Sequence, residues 1–332
     1  MYVCCSDPKS LAVSQVTESK PQMLRHFPFD GSFDPGMGMR VLKPHEPLCE
    51  VDLSRYQLEV SLKQQLLAEA HAYYFHGGDS TITAQWDVLE LVTDNLALHY
   101  PQHFELRKEG DDWHWHNTLT DESTSFRFGD LNTLACEPLD WIGRQVQEDL
   151  VLLSPDASAT FVGGHLCFAN GWAISDKLGK PFLEVHQRTP RATMPSVETG
   201  ARFLETLKPG RSFWRMSWNF KLSDQMDMTT RHKPAYKVDF ARRAPQLTPQ
   251  DVGDAVFIRI ERQTFTRLPR SQGILFGIHT YNSSVASEAA DPHRARSILN
   301  VLRGAPQDVK DYKAITPIEG PLVSFLEARA AS

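Results

Sequence analysis

Val256-Phe257-Ile258-Arg259-Ile260-Glu261-Arg262-Gln263-Thr264-Phe265-Thr266-Arg267-Leu268-Pro269, followed after a short polar turn by Ile274-Leu275-Phe276-Gly277-Ile278-His279-Thr280-Tyr281, decides how this chain folds. β-Branched and aromatic residues recur at every second position, the period of a strand rather than a helix. Residues 159–168 and 213–220 read the same way. So do 104–107, 113–119 and 123–128, which polar clusters such as Gly110-Asp111-Asp112 separate into an antiparallel meander. The strands are interleaved with helices but connected as hairpins, which predicts an α+β fold rather than a doubly wound parallel sheet.

Helical spacing appears at 58–74, where Leu58, Leu62, Leu66, Ala70 and Tyr74 form a stripe with Lys63, Gln64 and Glu69 off it. A second helix at 82–99 stops before Pro101. Further helices are expected at 139–152 (Leu139, Ile142, Val146 and Leu150 on one face), 175–186 and 197–207, with helix and coil beyond 292. Residues 1–25 are polar and aperiodic and predict a loosely ordered arm. The Pro/Gly-rich stretch 27–47, with Gly36 and Gly38, reads as an extended wrap on the core. The polar segment 222–252, with Met226, Met228, Pro234 and Pro245, is the best candidate for a long excursion or lid.

At 332 residues the chain is long enough for about two domains or one large one. Apolar residues make up 41% and charged residues 23%, the composition of a globular protein rather than a disordered one. A net charge of −6 speaks against a dedicated nucleic-acid binder. No apolar run approaches the ~20 residues of a membrane span, and the first residues lack a signal-peptide layout. Five cysteines, an odd and sparse set, exclude a disulfide framework and suit a reducing, cytoplasmic compartment. Cys4, Cys5, Cys49, Cys136 and Cys167 also lack iron–sulfur spacing. Gly36-Met37-Gly38 lacks the preceding strand and the third glycine of a dinucleotide fingerprint. Neither a phosphate-binding loop nor a Gly-x-Ser-x-Gly elbow is present. Redox chemistry on this chain would therefore draw electrons from another one. His114 and His116 flank Trp115 on one strand face, where an exposed polar face is a simpler reading than a metal site without a third ligand.

Three segments carry candidate chemistry. In Gly163-Gly164-His165-Leu166-Cys167-Phe168-Ala169-Asn170-Gly171-Trp172 and the following 176–190, a strand gives way to a short helix ending at His186. That imidazole is either a heme ligand, with its other nitrogen held by a backbone carbonyl, or a cation at a helix C-terminus. In the opening stretch, alternation places Arg262 on the apolar face with Val256, Ile258, Ile260 and Thr264. A buried guanidinium needs an anion, either a protein carboxylate or one such as a heme propionate. In Phe213-Trp214-Arg215-Met216-Ser217-Trp218-Asn219-Phe220, one face is apolar, and the other presents Arg215, Ser217 and Asn219 to water or to a pocket.

Together these blocks resemble the family of heme-dependent oxidative N-demethylase (dimethylamine monooxygenase) α subunits. The resemblance spans about 27–281. It rests on Trp172…Lys177-Leu178-Gly179-Lys180-Pro181…Val185-His186…Pro190, on Arg215-x-x-Trp218, and most specifically on Glu261 through Pro269 running on to Ile274-Leu275-Phe276…Thr280-Tyr281. It implies a PAS-like antiparallel sheet with flanking helices around a heme cavity, as one elaborated domain over 26–330. It further implies heme b with His186 as axial ligand (His165 and His279 next), cofactor contacts from Arg262, Arg267 and Lys177, and catalytic roles for Arg215, Trp218 and Arg262. The implied reaction is NADPH-dependent oxidative N-demethylation of a small secondary amine by dioxygen, releasing formaldehyde. FMN and a 2Fe-2S cluster would lie on a partner reductase. Two departures bear on substrate: Ser217 stands where the family usually has asparagine, and Arg191-Ala192 where Gly-Tyr is expected. They leave a non-catalytic heme or small-molecule sensor as the alternative.

Overall fold

The expected wrap before residue 47 becomes the edge of a sheet. In this computed structural model, which describes residues 23–331, Arg40–Val41 forms the short strand β1. Helix α1 (Tyr56–Tyr74), β2 (Phe75–His76) and α2 (Ile82–His99) follow. Then come β3 (Phe104–Glu109), β4 (Asp112–Asn117), β5 (Glu122–Arg127) and α3 (Pro138–Gly143). β6 (Asp149–Leu153) and β7 (Phe161–His165) form a hairpin, and α4 (Phe182–Val185) and α5 (Met194–Thr206) lead to β8 (Phe213–Lys221). α6 (Lys233–Arg243) and α7 (Val252–Ala255) separate β8 from β9 (Phe257–Arg267) and β10 (Ile274–Ser284). α8 (Val285–Glu288), α9 (Pro292–Gly304), α10 (Gln307–Tyr312) and α11 (Glu319–Ala330) complete the described chain.

The architecture is mixed α+β. A seven-stranded antiparallel sheet runs in the order β1-β8-β9-β10-β6-β7-β2, and β3-β4-β5 make a separate meander. β9 pairs with β10 along its whole length, from Phe257↔Ser284 to Arg267↔Ile274, and with β8 from Phe257↔Lys221 to Phe265↔Phe213. Period two then divides the strand. Ile258 and Ile260 pack with Phe220 and Tyr281 against α9 and α11, while Phe265 packs on the opposite face with Ile278, Phe161 and Leu204. Residues 1–22 of the expected N-terminal arm lie outside the described residues; Leu24 is buried, and its N–H donates to Glu288 at 2.7 Å.

Three expected helices differ. Residues 139–152 divide into α3 and β6, because Leu150 to Leu153 are buried on both faces between β10 and β7, and such a run carries no alternation. Residues 175–186 shrink to a turn at Ile174–Asp176 and α4, interrupted by Gly179 at φ +73° and by Pro181. In α1 the inward stripe is Tyr56, Glu59, Val60, Lys63, Leu66, Leu67 and Tyr74, while Leu58 is 61% exposed. Lys63 is enclosed because its ammonium donates to the carbonyls of Gly143 and Glu148 and lies 3.9 Å from Asp149. Burial raises the Asp149 carboxyl to about 6, against the pull of Lys63 and of the Cys167 and Phe168 N–H groups.

The end of α3 meets β7 without space for a side chain. A Cβ at Gly143 would collide with Cγ of His165, whose ring is fully buried. Gly143→Ala should therefore destabilise the fold by about 1–3 kcal/mol through overpacking, seen as a lower thermal midpoint. An unchanged midpoint would show that this interior yields freely.

Candidate functional site

β8 turns Ser217, Asn219 and Lys221 to one face of the sheet, with Arg215 at the same parity. The register sets Ser217 opposite Glu261 and Arg215 opposite Gln263 on β9, and Ile278 of β10 lies beside Gln263. Ser217, Asn219, Lys221, Glu261, Gln263 and Ile278 floor a cavity of about 610 Å3, within the usual range of cofactor sites, roughly 300–1,000 Å3. Residues 170–172, Lys177, Val185 and His186 form one wall. The excursion expected at 222–252 forms the roof, through His232, Lys233, Tyr236, Lys237 and Phe240. It is tied to the wall by a bridge between Asn170 and Met228 and by Lys233, which donates to the Gly171 carbonyl at 3.0 Å.

His186 caps the C-terminal end of α4 and lines this cavity. Its Nδ1 lies 2.8 Å from the Phe182 carbonyl. A carbonyl can only accept, so Nδ1 carries the proton and Nε2 keeps its lone pair. Burial lowers the pKa of the ring, and the Lys177 and Arg215 charges act in the same direction against the Phe182 bond. A neutral imidazole with its second nitrogen pinned is the form that ligates a metal. The wall around it is basic: among the described residues that line it, Lys177, Arg188, Lys221, Lys233, Lys237 and Lys313 face the carboxylates of Asp227 and Glu261, in a chain of net charge −6. A free imidazole nitrogen within a basic enclosure fits an iron porphyrin bearing two carboxylates.

Other expected residues fall on both sides of the sheet. Lys177 lines the cavity, with burial lowering its pKa. Arg215 shares the strand face of Ser217 but does not line the cavity, and among the described residues its buried Nε has no hydrogen-bond partner. Trp218 turns to the opposite face, where its ring packs on Phe29 and Phe220. Arg262 also lies there. It donates to the carbonyls of Leu48 (3.0 Å) and Pro47 (2.7 Å), stands 3.5 Å from Glu50 and lies over the Trp214 ring. Its anion in this structure is thus a protein carboxylate. Arg267 is satisfied at the far end of β9 by the carbonyls of Leu204, Leu207, Pro155 and Gln272. His165 is enclosed 3.7 Å from Asp140, and His279 is held by Glu148 at 2.9 Å behind the sheet. His114 and His116 bond Ser125 and Ser123 on the exposed meander face. Among the described residues no group of three or more His, Cys, Asp or Glu could hold a metal ion.

Sequence reasoning passed over Glu261, Lys221 and Lys313. The signal for Glu261 was the same alternation that singled out Arg262, read on the other parity. Of the two departures, Ser217 lines the cavity and Ala192 lies outside it.

A mixed α+β protein with a basic cavity and a neutral, oriented imidazole has the makings of a heme protein. Residues 39–323 match the family described as "Haem-dependent oxidative N-demethylase, alpha subunit-like", and the chain belongs to that family. No helix among the described residues is long and apolar enough to cross a membrane.

The placement of Arg262 makes it a stabilising residue. Burial works to raise the Glu50 carboxyl, but the His26 hydrogen bond and the Arg262 charge hold it at about 2, below its ordinary 4.5. Because the folded pKa is depressed, this stability is present above about 4.5 and is lost as pH falls toward 2. Arg262→Met should cost about 3–5 kcal/mol at neutral pH, as removal of one partner of a buried pair does. In denaturant titrations that deficit should narrow toward pH ~3, where a Glu50 without its arginine takes up a proton. A variant as stable as the parent at neutral pH would contradict this role.

Proposed function

We propose that this chain is the oxygen-activating component of an oxidative N-demethylase and that it would hold heme b in the cavity through His186 as the iron ligand. The observation that carries the reading is His186 itself: its Nδ1 is committed to the Phe182 carbonyl, and its other nitrogen is left to the cavity. The strand order supports the PAS-type aspect. β6 and β7 form a hairpin, α4 and α5 follow, and the β8–β9–β10 meander returns β10 beside β6. We read 26–330 as one domain, because the large sheet takes strands from Arg40 through to Ser284.

Bound there, heme supplies a one-electron centre for reductive activation of dioxygen. The residues of the chain do the rest. His186 would hold the cofactor through its Nε2. Lys177, Arg188 and Lys233 would neutralise its carboxylates. Glu261, on the cavity floor, would receive the ammonium of a small secondary amine, and the α6 roof would keep water out. A dialkylamine of the dimethylamine type, dioxygen, two electrons and two protons balance to the monomethylamine, formaldehyde and water. The electrons would come from NADPH through a partner reductase carrying FMN and a 2Fe-2S cluster.

Full-length protein mixed with hemin should develop a Soret band. His186→Ala should weaken heme binding by at least about tenfold, the loss that follows when only the group orienting a metal ligand is removed. A parent protein that stays colourless, or a variant with the same spectrum, would defeat the assignment. With reductase, NADPH and dioxygen, amine-dependent formaldehyde tests turnover; heme uptake without any product would favour the sensor alternative.

A further inference from the structure

One end of the cavity holds two lysines beyond the cations assigned above to the cofactor carboxylates. Lys221, at the end of β8, lies over the Tyr236 ring at 5.5 Å. Lys313, in the turn after α10, donates to the Trp218 carbonyl at 2.6 Å and lies 4.2 Å over the Trp218 ring. Both line the cavity, and among the described residues neither ammonium is ion-paired with a carboxylate. Of the two lining carboxylates among the described residues, Asp227 is already occupied. It accepts from the Tyr74 hydroxyl and from Thr229, and lies 3.1 Å from His232. That leaves Glu261, whose hydrogen-bond partner is Gln263.

Burial and neighbouring cations push Lys221 down to about 8 and Lys313 to about 7, with Glu261 the opposing influence on both. The unpartnered Nε of Arg215 adds to the same imbalance. Two cavity-lining lysines and the buried Arg215 thus outnumber the one uncommitted carboxylate among the described residues. A simple dialkylammonium entering there would add a fourth cation, whereas a ligand bringing its own carboxylate would satisfy the lysines.

We propose that Lys221 and Lys313 form a carboxylate subsite and that the amine taken by this cavity is a carboxylate-bearing N-methylamine, an N-methyl amino acid, with its ammonium on Glu261. The chemistry rests on the demethylase reading; the binding does not. Oxidation would follow the same balance: the N-methyl carbon leaves as formaldehyde carrying one oxygen atom of dioxygen, the other oxygen leaves as water, and two electrons and two protons come by way of the partner reductase and solvent.

Calorimetric titration of the full chain, heme-free and heme-loaded, tests this with N-methylglycine, 4-(methylamino)butanoate and dimethylamine as probes. At least one acid should bind about tenfold or more tightly than dimethylamine, the scale of a charge-assisted contact. Lys313→Met and Lys221→Met should each erase that preference. Should the variants fail to fold, the parent protein still decides. Acid affinity should fall from about pH 6 to about pH 9 as the lysines lose their protons, with Arg215, Arg259, Lys233 and Glu261 as the charges facing them. Dimethylamine affinity should not fall over that range.

Equal affinities, or acid binding indifferent to both substitutions and to pH, would overturn the subsite. Acid binding abolished by heme would give the lysines to the cofactor carboxylates and overturn the substrate assignment. The two readings separate cleanly. Acid binding without heme uptake keeps the subsite and removes the demethylase. Heme uptake on His186 with no preference for acids does the reverse.

Discussion

β9 buries three guanidinium groups, and most of the structure around the cavity is organised by the need to satisfy them. Each group has five N–H donors and no acceptor, and each is taken out of water. Arg259 donates to the carbonyls of Phe168, Gln225 and Met226. Arg262 takes those of Pro47 and Leu48, and Arg267 takes four more from Leu204, Leu207, Pro155 and Gln272. Irregular loops have spare carbonyls, and a buried guanidinium is a suitable collector of them. The strand thereby fastens segments that cannot fasten themselves.

The cavity inherits its walls from this arrangement. Phe168 precedes the 170–172 wall, and Gln225 with Met226 begins the excursion that becomes the roof, so Arg259 holds both from beneath. Arg267 fixes the C-terminal end of α5. Behind the sheet, Arg262 and Glu50 belong to a second polar cluster with His26 and Tyr281. Its charges are internally compensated, whereas the cavity face has cations in excess. That contrast separates a self-compensated cluster behind the sheet from the basic cavity face.

Much of this could be read from the chain. The alternation in 256–269 and 274–281 yields the central hairpin, and 82–99 coincides with α2. His186 was legible because a histidine just past a short helix, with a carbonyl four residues back, has a local geometry. Arg262 was legible as buried but not as to its partner: Glu50 lies more than 200 residues away, and a local pattern carries no information about which of two faces encloses a cavity. The same limit hid Glu261. Lys63 looked like a surface residue because its compensation comes from Asp149 and two carbonyls on distant segments.

By itself, the sequence determined the α+β class, the antiparallel pairing of the longest strands, the local pose available to His186 and the family to which the chain belongs. Those properties depend on short-range periodicity, turn chemistry and residue identity. Only the tertiary structure decided that the odd-numbered face of β9 floors the cavity, that residues 222–252 roof it, and that Lys221, Lys313 and Glu261 meet there. Electrostatic compensation of buried groups acts through space, so its partners are chosen by the packing of the whole chain and leave no local mark in the residues that carry it.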